Sequence, residues 1–271
     1  MIEDMEILCI GNELLIGKIP NTNAQWLARN ATLLGIAVRR ITVVSDEVEE
    51  IAAAIREALY RKPNFIVTTG GLGPTFDDKT LQGLAKALER KLEVNPKALK
   101  MVKEKYDSYF LNKQIDKSEL TPPRIKMATI PEESMPIPNP VGTAPAVLAD
   151  IHSTVIVSLP GVPSEMEAIF NESIAPLLRK AANNVAFYEK RVFADKIFES
   201  SLAPLIDKVM KDNPSVYIKS HPKGVENRPH IEIHLSLRAA ETEKPLEKLD
   251  EAAKQLVFLI DEQGGRAFTE N

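Results

Sequence analysis

The sequence predicts an α/β fold: a layered domain with a mostly parallel sheet over residues 1–180, then a small α+β domain over residues 181–271. Three observations carry this. Short β-rich apolar runs alternate with amphipathic stretches of helical length, the grammar of right-handed βαβ crossovers. Past about Asn183 that alternation gives way to a β-α-β-β-α order. Within the first domain, residues 112–145 hold Pro122, Pro123, Pro131, Pro136, Pro138, Pro140 and Pro145, too many for a long helix or a central strand.

Taken in order, Glu6–Ile10 reads as a buried strand, and Asn23–Leu34 as a helix with Ala24, Leu27, Ala28, Ala31 and Leu34 on one face. Val38–Val44 is the next strand. Asp46–Tyr60 follows as a helix whose D-x-x-E start predicts Asp46 as N-cap, with Glu49 reaching back. Asn64–Thr69 is a third strand, followed by a glycine loop and by helices near Lys79–Arg90 and Pro96–Tyr109. Weaker strand signals lie at Ile125–Ile130 and Ala146–Asp150 and a strong one at Thr154–Leu159; a helix over Pro163–Lys180 closes the unit. The proline-rich excursion is a candidate wall of a binding site, because long ordered loops in compact domains are commonly functional. In the second domain Ala186–Lys196, Ser215–Lys219 and Pro229–Arg238 read as strands, and Glu199–Lys211 and Lys244–Glu262 as helices.

Composition narrows the function classes. The chain carries 34 Lys and Arg against 38 Asp and Glu, a net charge of −4, which argues against a protein built to coat nucleic acid. From Pro176 onward the chain carries 15 basic and 15 acidic residues, so Lys208, Lys211, Lys219, Lys223 and Arg228 read as a solvated face. Its Pro222-Lys223-Gly224-Val225 turn is not the GxxG loop of a KH-type RNA reader. Apolar runs such as Leu256–Ile260 fall far short of the ~20 residues of a membrane span. The acidic start, running at once into a strand, is no signal peptide, and a cytoplasmic protein is expected. The single cysteine, Cys9, excludes an internal disulfide and a multi-cysteine zinc site, and reads as a small buried hydrophobe.

The sharpest motif is the run from Thr68 to Thr80, TTGGLGPTFDDKT, between a strand and a helix. In an open α/β sheet, ligands bind beyond the carboxyl ends of the strands, where this loop must lie. Gly70, Gly71 and Gly73 let the backbone curl so that successive N–H groups point at an anion, and Thr75 adds a hydroxyl. Two adjacent carboxylates, Asp77 and Asp78, would repel a phosphate unless a divalent cation such as Mg²⁺ sits between, which makes Asp78 the candidate metal ligand. The plainer alternative is that Asp77 caps the following helix and Asp78 complements its dipole.

Three other strand-exit loops are polar or glycine-rich. Gly11–Ile19 (GNELLIGKI) is not a P-loop, having five residues between its glycines and Ile19 where Mg²⁺ needs a hydroxyl. With Asn21, Thr22 and Asn23 it still offers Glu13 and two amides, while Asn21 or Thr22 also suits an N-cap. Asn139–Pro145 supplies Asn139, Gly142 and Thr143; Leu159–Met166 supplies Pro160 and Gly161, with Glu165 at the positive end of a helix. Singly each reads as architecture; together they point to one pocket. His230 and His234 sit in an alternating strand, roughly 13 Å apart on its polar face, and cannot share a metal. His221 lies in a turn-like stretch.

These loops resemble the molybdopterin-binding domain shared by the MoaB and MogA proteins. More closely, the combination GNELLIG, NTNAQWLA, TTGGLGPTFDD, NPVGTAP and LPGVPSEM resembles the CinA family in its short archaeal form, over about Met5–Leu178. The resemblance implies a three-layer α/β/α domain, nucleotide or pterin ligands, and a metal-dependent pyrophosphatase activity on ADP-ribose or similar dinucleotides. It matches Asp78 to the shared acidic residue, Gly70, Gly71 and Gly73 to the anion-cradling glycines, and Asn23, Asn139, Gly142 and Thr143 to positions in the other loops. Ala146 stands where the family pattern carries glycine, and no nicotinamide-nucleotide amidase domain is expected after Asn271. The leading expectation is therefore hydrolysis of a nucleotide diphosphate linkage, with Asp78 and Asp77 holding a divalent metal. Asp46 and Glu13 are candidate bases, though spacing reads Asp46 first as a cap. The alternative is a non-hydrolytic molybdopterin-binding protein of molybdenum cofactor metabolism. The second domain is a candidate contact between copies in a homo-oligomer.

Overall fold

The computed structural model describes residues 3–223 and 230–269. Gly224, Val225, Arg228 and Pro229 of the sequence reading lie outside the described residues. The chain divides into two compact units, Met1–Thr32 with Ile36–Ala181, and Leu33–Gly35 with Ala182–Asn271.

In the first unit β1 (Asp4–Ile10) leads through a short turn α1 (Asn12–Leu15) to α2 (Thr22–Leu33), which starts where the Asn21 side chain accepts the Ala24 N–H at 3.1 Å. β2 (Ala37–Val44), α3 (Val48–Tyr60), β3 (Phe65–Thr69) and α4 (Thr80–Ala87) follow, then β4 (Leu92–Val94) and α5 (Pro96–Leu111). Asn95 caps α5 through the Lys97 and Ala98 amides, with Pro96 at the first helical position. The proline-rich excursion contributes α6 (Pro122–Lys126), β5 (Thr129–Pro131) and β6 (Ser134–Ile137). β7 (Ala146–Ile151), β8 (Thr154–Leu159), α7 (Pro163–Ile169) and α8 (Ala175–Ala181) complete the unit.

The six-stranded sheet runs β2-β1-β3-β8-β7-β6. It is parallel from β2 through β8 and antiparallel at β7 and β6, while β4 and β5 form a separate antiparallel pair. Side chains alternate across the pleat. Leu8, Ile10, Ile66, Val147 and Ile156 share one core with Ile51, Ile55, Leu84 and Val102 of α3, α4 and α5. Ile7, Cys9, Val67, Val157 and Leu159 point the other way yet are equally buried, with Leu27 of α2 and Met166, Ile169 and Leu178 of α7 and α8. A central strand covered on both faces reads as a near-continuous apolar run, as Met5–Ile10 of β1 does apart from Glu6. The edge strands differ: β2 exposes Arg39 and Arg40, and β6 carries Pro136.

One charged residue lies inside. Glu6 in β1 is 3% exposed, and Arg61, just past α3, donates Nε and Nη2 to its two carboxylate oxygens at 2.7 and 2.6 Å. The pair is bidentate, the geometry that best offsets desolvation.

Four expectations are corrected. Asp46 does not cap α3: Glu47 holds that position without a side-chain bond, and Asp46 instead accepts the Asn12 N–H at 2.9 Å, while Glu49 pairs with Lys86. Asp77 does not cap α4, which starts at Thr80 behind Lys79. The expected strand at Ile125–Ile130 is the end of α6 and the start of β5, because Pro122 and Pro123 open a helical turn. The expected helix over Pro163–Lys180 contains a π turn at Phe170–Ile174, where Phe170 meets Trp26 edge-on at 5.1 Å.

The second unit orders β9 (Val185–Asp195), α9 (Glu199–Asp212), β10 (Tyr217–Pro222), β11 (His230–Ala240), α10 (Pro245–Glu262) and β12 (Arg266–Thr269). Its antiparallel sheet runs β10-β11-β9-β12, and its core joins Val192, Ile231, Ile233 and Leu235 to Leu202 and Ile206 of α9 and Leu249 and Leu256 of α10. His221 falls in β10 and not in a turn; its ring meets His234 at 4.9 Å. His234 bridges Glu189 and Glu232, and His230 pairs with Asp195.

Candidate functional site

The parallel strands β1, β3 and β8 end at one edge of the sheet, and their exit loops interlock there. Gly70 has φ +107°; a Cβ on it would sit 2.2 Å from the Ile10 carbonyl oxygen, so only glycine lets the β3 exit pass this close to β1. Its N–H donates to the Leu159 carbonyl at the end of β8 at 3.1 Å. Thr80, fully buried, donates its hydroxyl to the Gly70 carbonyl at 2.7 Å and its N–H to the Gly71 carbonyl at 3.1 Å, so the loop closes on the first residue of α4. Asn23 from α2 donates Nδ2 to the Thr69 hydroxyl at 3.0 Å and to the Gly161 carbonyl at 2.8 Å.

Thr75 organises the acidic pair. Its N–H donates to Asp78 Oδ2 at 2.8 Å, and its hydroxyl, with one proton to give, lies between Asp78 Oδ2 at 2.7 Å and Asp77 Oδ1. The Asp78 carboxylate folds back over Gly73, where a Cβ would meet Oδ2 at 2.6 Å. The Thr75 hydroxyl and the Asp77 amide hold the Asp77 carboxyl below its ordinary range, so it is ionised at neutral pH. The other wall is tied by Asn139, which is buried. Its Oδ1 accepts the Val141 and Gly142 amides at 3.1 and 2.7 Å, and its Nδ2 donates to Glu165 Oε2 at 2.6 Å.

Together the loops enclose a pocket of about 440 Å³, a size suited to a small-molecule ligand. Of the residues the sequence singled out, Glu13, Asn23, Gly70, Gly71, Gly73, Asp77, Asp78, Thr143, Pro160 and Gly161 line it. Thr75, Asn139 and Gly142 do not line it; Thr75 bonds to Asp78 and Asn139 to Glu165, which do. The excursion supplies Met127, Thr143 and Ala144 to the pocket lining. Two lining carboxylates were read otherwise: Asp46 as a cap and Glu165 as a helix-end charge. Asp46→Ala should cost about 1 kcal/mol, by leaving the Asn12 amide without its acceptor. Denaturant unfolding followed by circular dichroism should register that loss without a change in helix content.

Five carboxylates, those of Glu13, Asp46, Asp77, Asp78 and Glu165, line the pocket, and among the described residues no Lys, Arg or His does. With carboxylates as its only charged lining among the described residues, the pocket would admit an anionic group most favourably together with cations. Among the described residues there is no group of three or more His, Cys, Asp or Glu poised as a metal cage. The donor set fits a hydrated Mg²⁺ held by one or two carboxylates and by ligand phosphate oxygens, and does not fit a dedicated all-protein site.

A glycine-turn loop closing on a helix start, at the carboxyl edge of a doubly covered parallel sheet, defines a ligand-binding α/β domain of the MoaB/MogA type. Residues 6–180 match the family described as "Probable molybdopterin binding domain", and the chain belongs to that family. Relatives extend over both units: a protein of Pyrobaculum arsenaticum is 46% identical over 260 residues, covering 96% of this chain and 95% of its own. One of Caldivirga maquilingensis is 47% identical over 253 residues, covering 93% and 94%. The crystal structure of the protein CinA from Thermoplasma acidophilum is similar at 40% identity and a TM-score of 0.59, over 65% of this chain and 98% of that one. Among the described residues no helix is long and apolar enough to cross a membrane.

Proposed function

We propose that the first unit binds a phosphorylated pterin of the molybdopterin type, accompanied by a divalent cation. The carrying observation is the Gly70–Gly73 loop, whose turn excludes a Cβ at Gly70 and which lines the 440 Å³ pocket of a molybdopterin-binding-family domain. The glycine-loop amides take the phosphate, Asp78 and Asp77 take the hydrated cation, and Asn23 and Asn139 hold the flanking loops in place. When bound, the cation supplies charge neutralisation between phosphate and carboxylates.

A second reading, hydrolysis of a nucleotide diphosphate linkage, is favoured by the adjacent, Thr75-organised carboxylates. In it water adds to one phosphorus, the bridging P–O bond breaks, and two monophosphates leave. One paired assay separates the readings. The purified protein, in Mg²⁺, should retain pterin fluorescence on gel filtration and should leave ADP-ribose intact. Release of AMP and ribose 5-phosphate, abolished in Asp78→Asn, would establish the hydrolytic reading instead. Failure to retain either ligand sinks both.

A further inference from the structure

We propose that Lys126 is the positioning residue of the glycine loop: its ammonium gathers three backbone carbonyls and so fixes the Gly73–Asp78 segment that carries the acidic pair to the pocket. Nζ donates to the carbonyl oxygens of Gly73, Thr75 and Asp78 at 2.9, 2.8 and 2.7 Å. An ammonium has three donors, and here all three are spent on one loop. In a planar trans peptide the C=O of one residue and the N–H of the next point in opposite directions. Drawing in the Thr75 and Asp78 carbonyls therefore turns the N–H groups of Phe76 and Lys79 away from the ammonium. Neither amide donates to a backbone or side-chain acceptor among the described residues.

Packing on buried Leu72 and Thr80 fixes the start and end of the loop but leaves its middle, Pro74–Asp77, exposed. On the Lys126 side, Gly71, Leu72, Gly73 and Asp78 border a second cavity of about 320 Å³, so the loop is backed there by open space. The tether comes from a well-anchored element. Arg124, two residues earlier in α6, lies 3.7 Å above the Tyr106 ring and donates to the Lys117 and Glu119 carbonyls at 3.1 and 2.7 Å. Lys126 is thus a fixed cation reaching from the proline-rich excursion to a loop that otherwise carries two adjacent carboxylates. It borders the second cavity and does not line the pocket, so it tethers the loop without occupying the ligand's space.

The inference deepens the binding function proposed above, and its first test needs no ligand. Amide hydrogen exchange in Lys126→Met should quicken at least tenfold at Thr75, Asp78 and Thr80, whose amides donate within the loop, while the amides of β1 and β3 exchange as in the natural protein. Lys126→Arg should not restore protection, because a planar guanidinium cannot meet three carbonyls converging on one nitrogen. Lys126→Ala should regain it on addition of propylammonium, which replaces the missing ammonium and stem. With Mg²⁺-pyrophosphate as probe, affinity should fall at least tenfold in Lys126→Met and return with propylammonium in Lys126→Ala. Unchanged loop exchange in Lys126→Met, or full protection in Lys126→Arg, overturns the proposal. Should Lys126→Met unfold, the propylammonium titration of Lys126→Ala decides alone, and absence of rescue there also overturns it. If the natural protein itself ignores pyrophosphate and pterin phosphate, the binding function fails while the exchange result still judges Lys126.

Discussion

Gly70→Ala should destabilise the first unit by about 3 kcal/mol and abolish retention of a phosphorylated ligand. Two costs add. The residue sits at φ +107°, where an L side chain is strained, and its new methyl would fall 2.2 Å from the Ile10 carbonyl oxygen, a backbone atom that cannot swing aside. Relief requires the β3 exit to move away from β1, which breaks the Gly70 amide's bond to Leu159 and the Thr80 hydroxyl's bond to Gly70. Gly17→Ala is the control. It also has positive φ, +68°, but nothing lies within 4 Å of the added carbon. It should lose only the conformational part, about 1 kcal/mol. Denaturant midpoints of the two variants give the comparison; equal losses would mean that the close approach at Gly70 is not what selects glycine.

Arg61→Met should cost about 3–5 kcal/mol, because it strands the Glu6 carboxylate in the core with both oxygens unpaired. The loss is that of an uncompensated buried charge, not the worth of an ion pair in water. Replacing both partners, Glu6→Leu with Arg61→Met, should recover most of it, and the urea midpoints of the single and double variants expose the difference. A single variant as stable as the natural protein would mean that water reaches Glu6 and the pair is structurally idle.

Local pattern carried most of the fold. The strand at Thr154–Leu159 has the same bounds in sequence and structure, since an apolar run between turn residues has one reading at that length. Ile125–Ile130 has a similar run but splits, as Pro122 and Pro123 impose helical φ before it. The last strand, Arg266–Thr269, is four residues of weak alternation and gives no signal; it exists because β9 offers it an edge. At the site, glycines and loop polarity were legible because they are demands of the backbone itself. Asp46 and Lys126 were not. A D-x-x-E start looks like a cap whatever the chain does 34 residues earlier, where the Asn12 amide claims that carboxylate. Likewise nothing near Lys126 announces that its partners lie 48 to 53 residues upstream.

The guarded edges of the six-stranded sheet bear on how the protein behaves in crowded solution. β2 ends the sheet with Arg39 and Arg40 toward solvent, and β6 ends it with a proline that has no amide to offer. A second molecule aligning along either border meets like charge on one side and a missing donor on the other. The parallel core strands, whose valine- and isoleucine-rich runs are the fibre-prone part of the chain, are thereby sealed from templated growth for as long as the sheet stays folded.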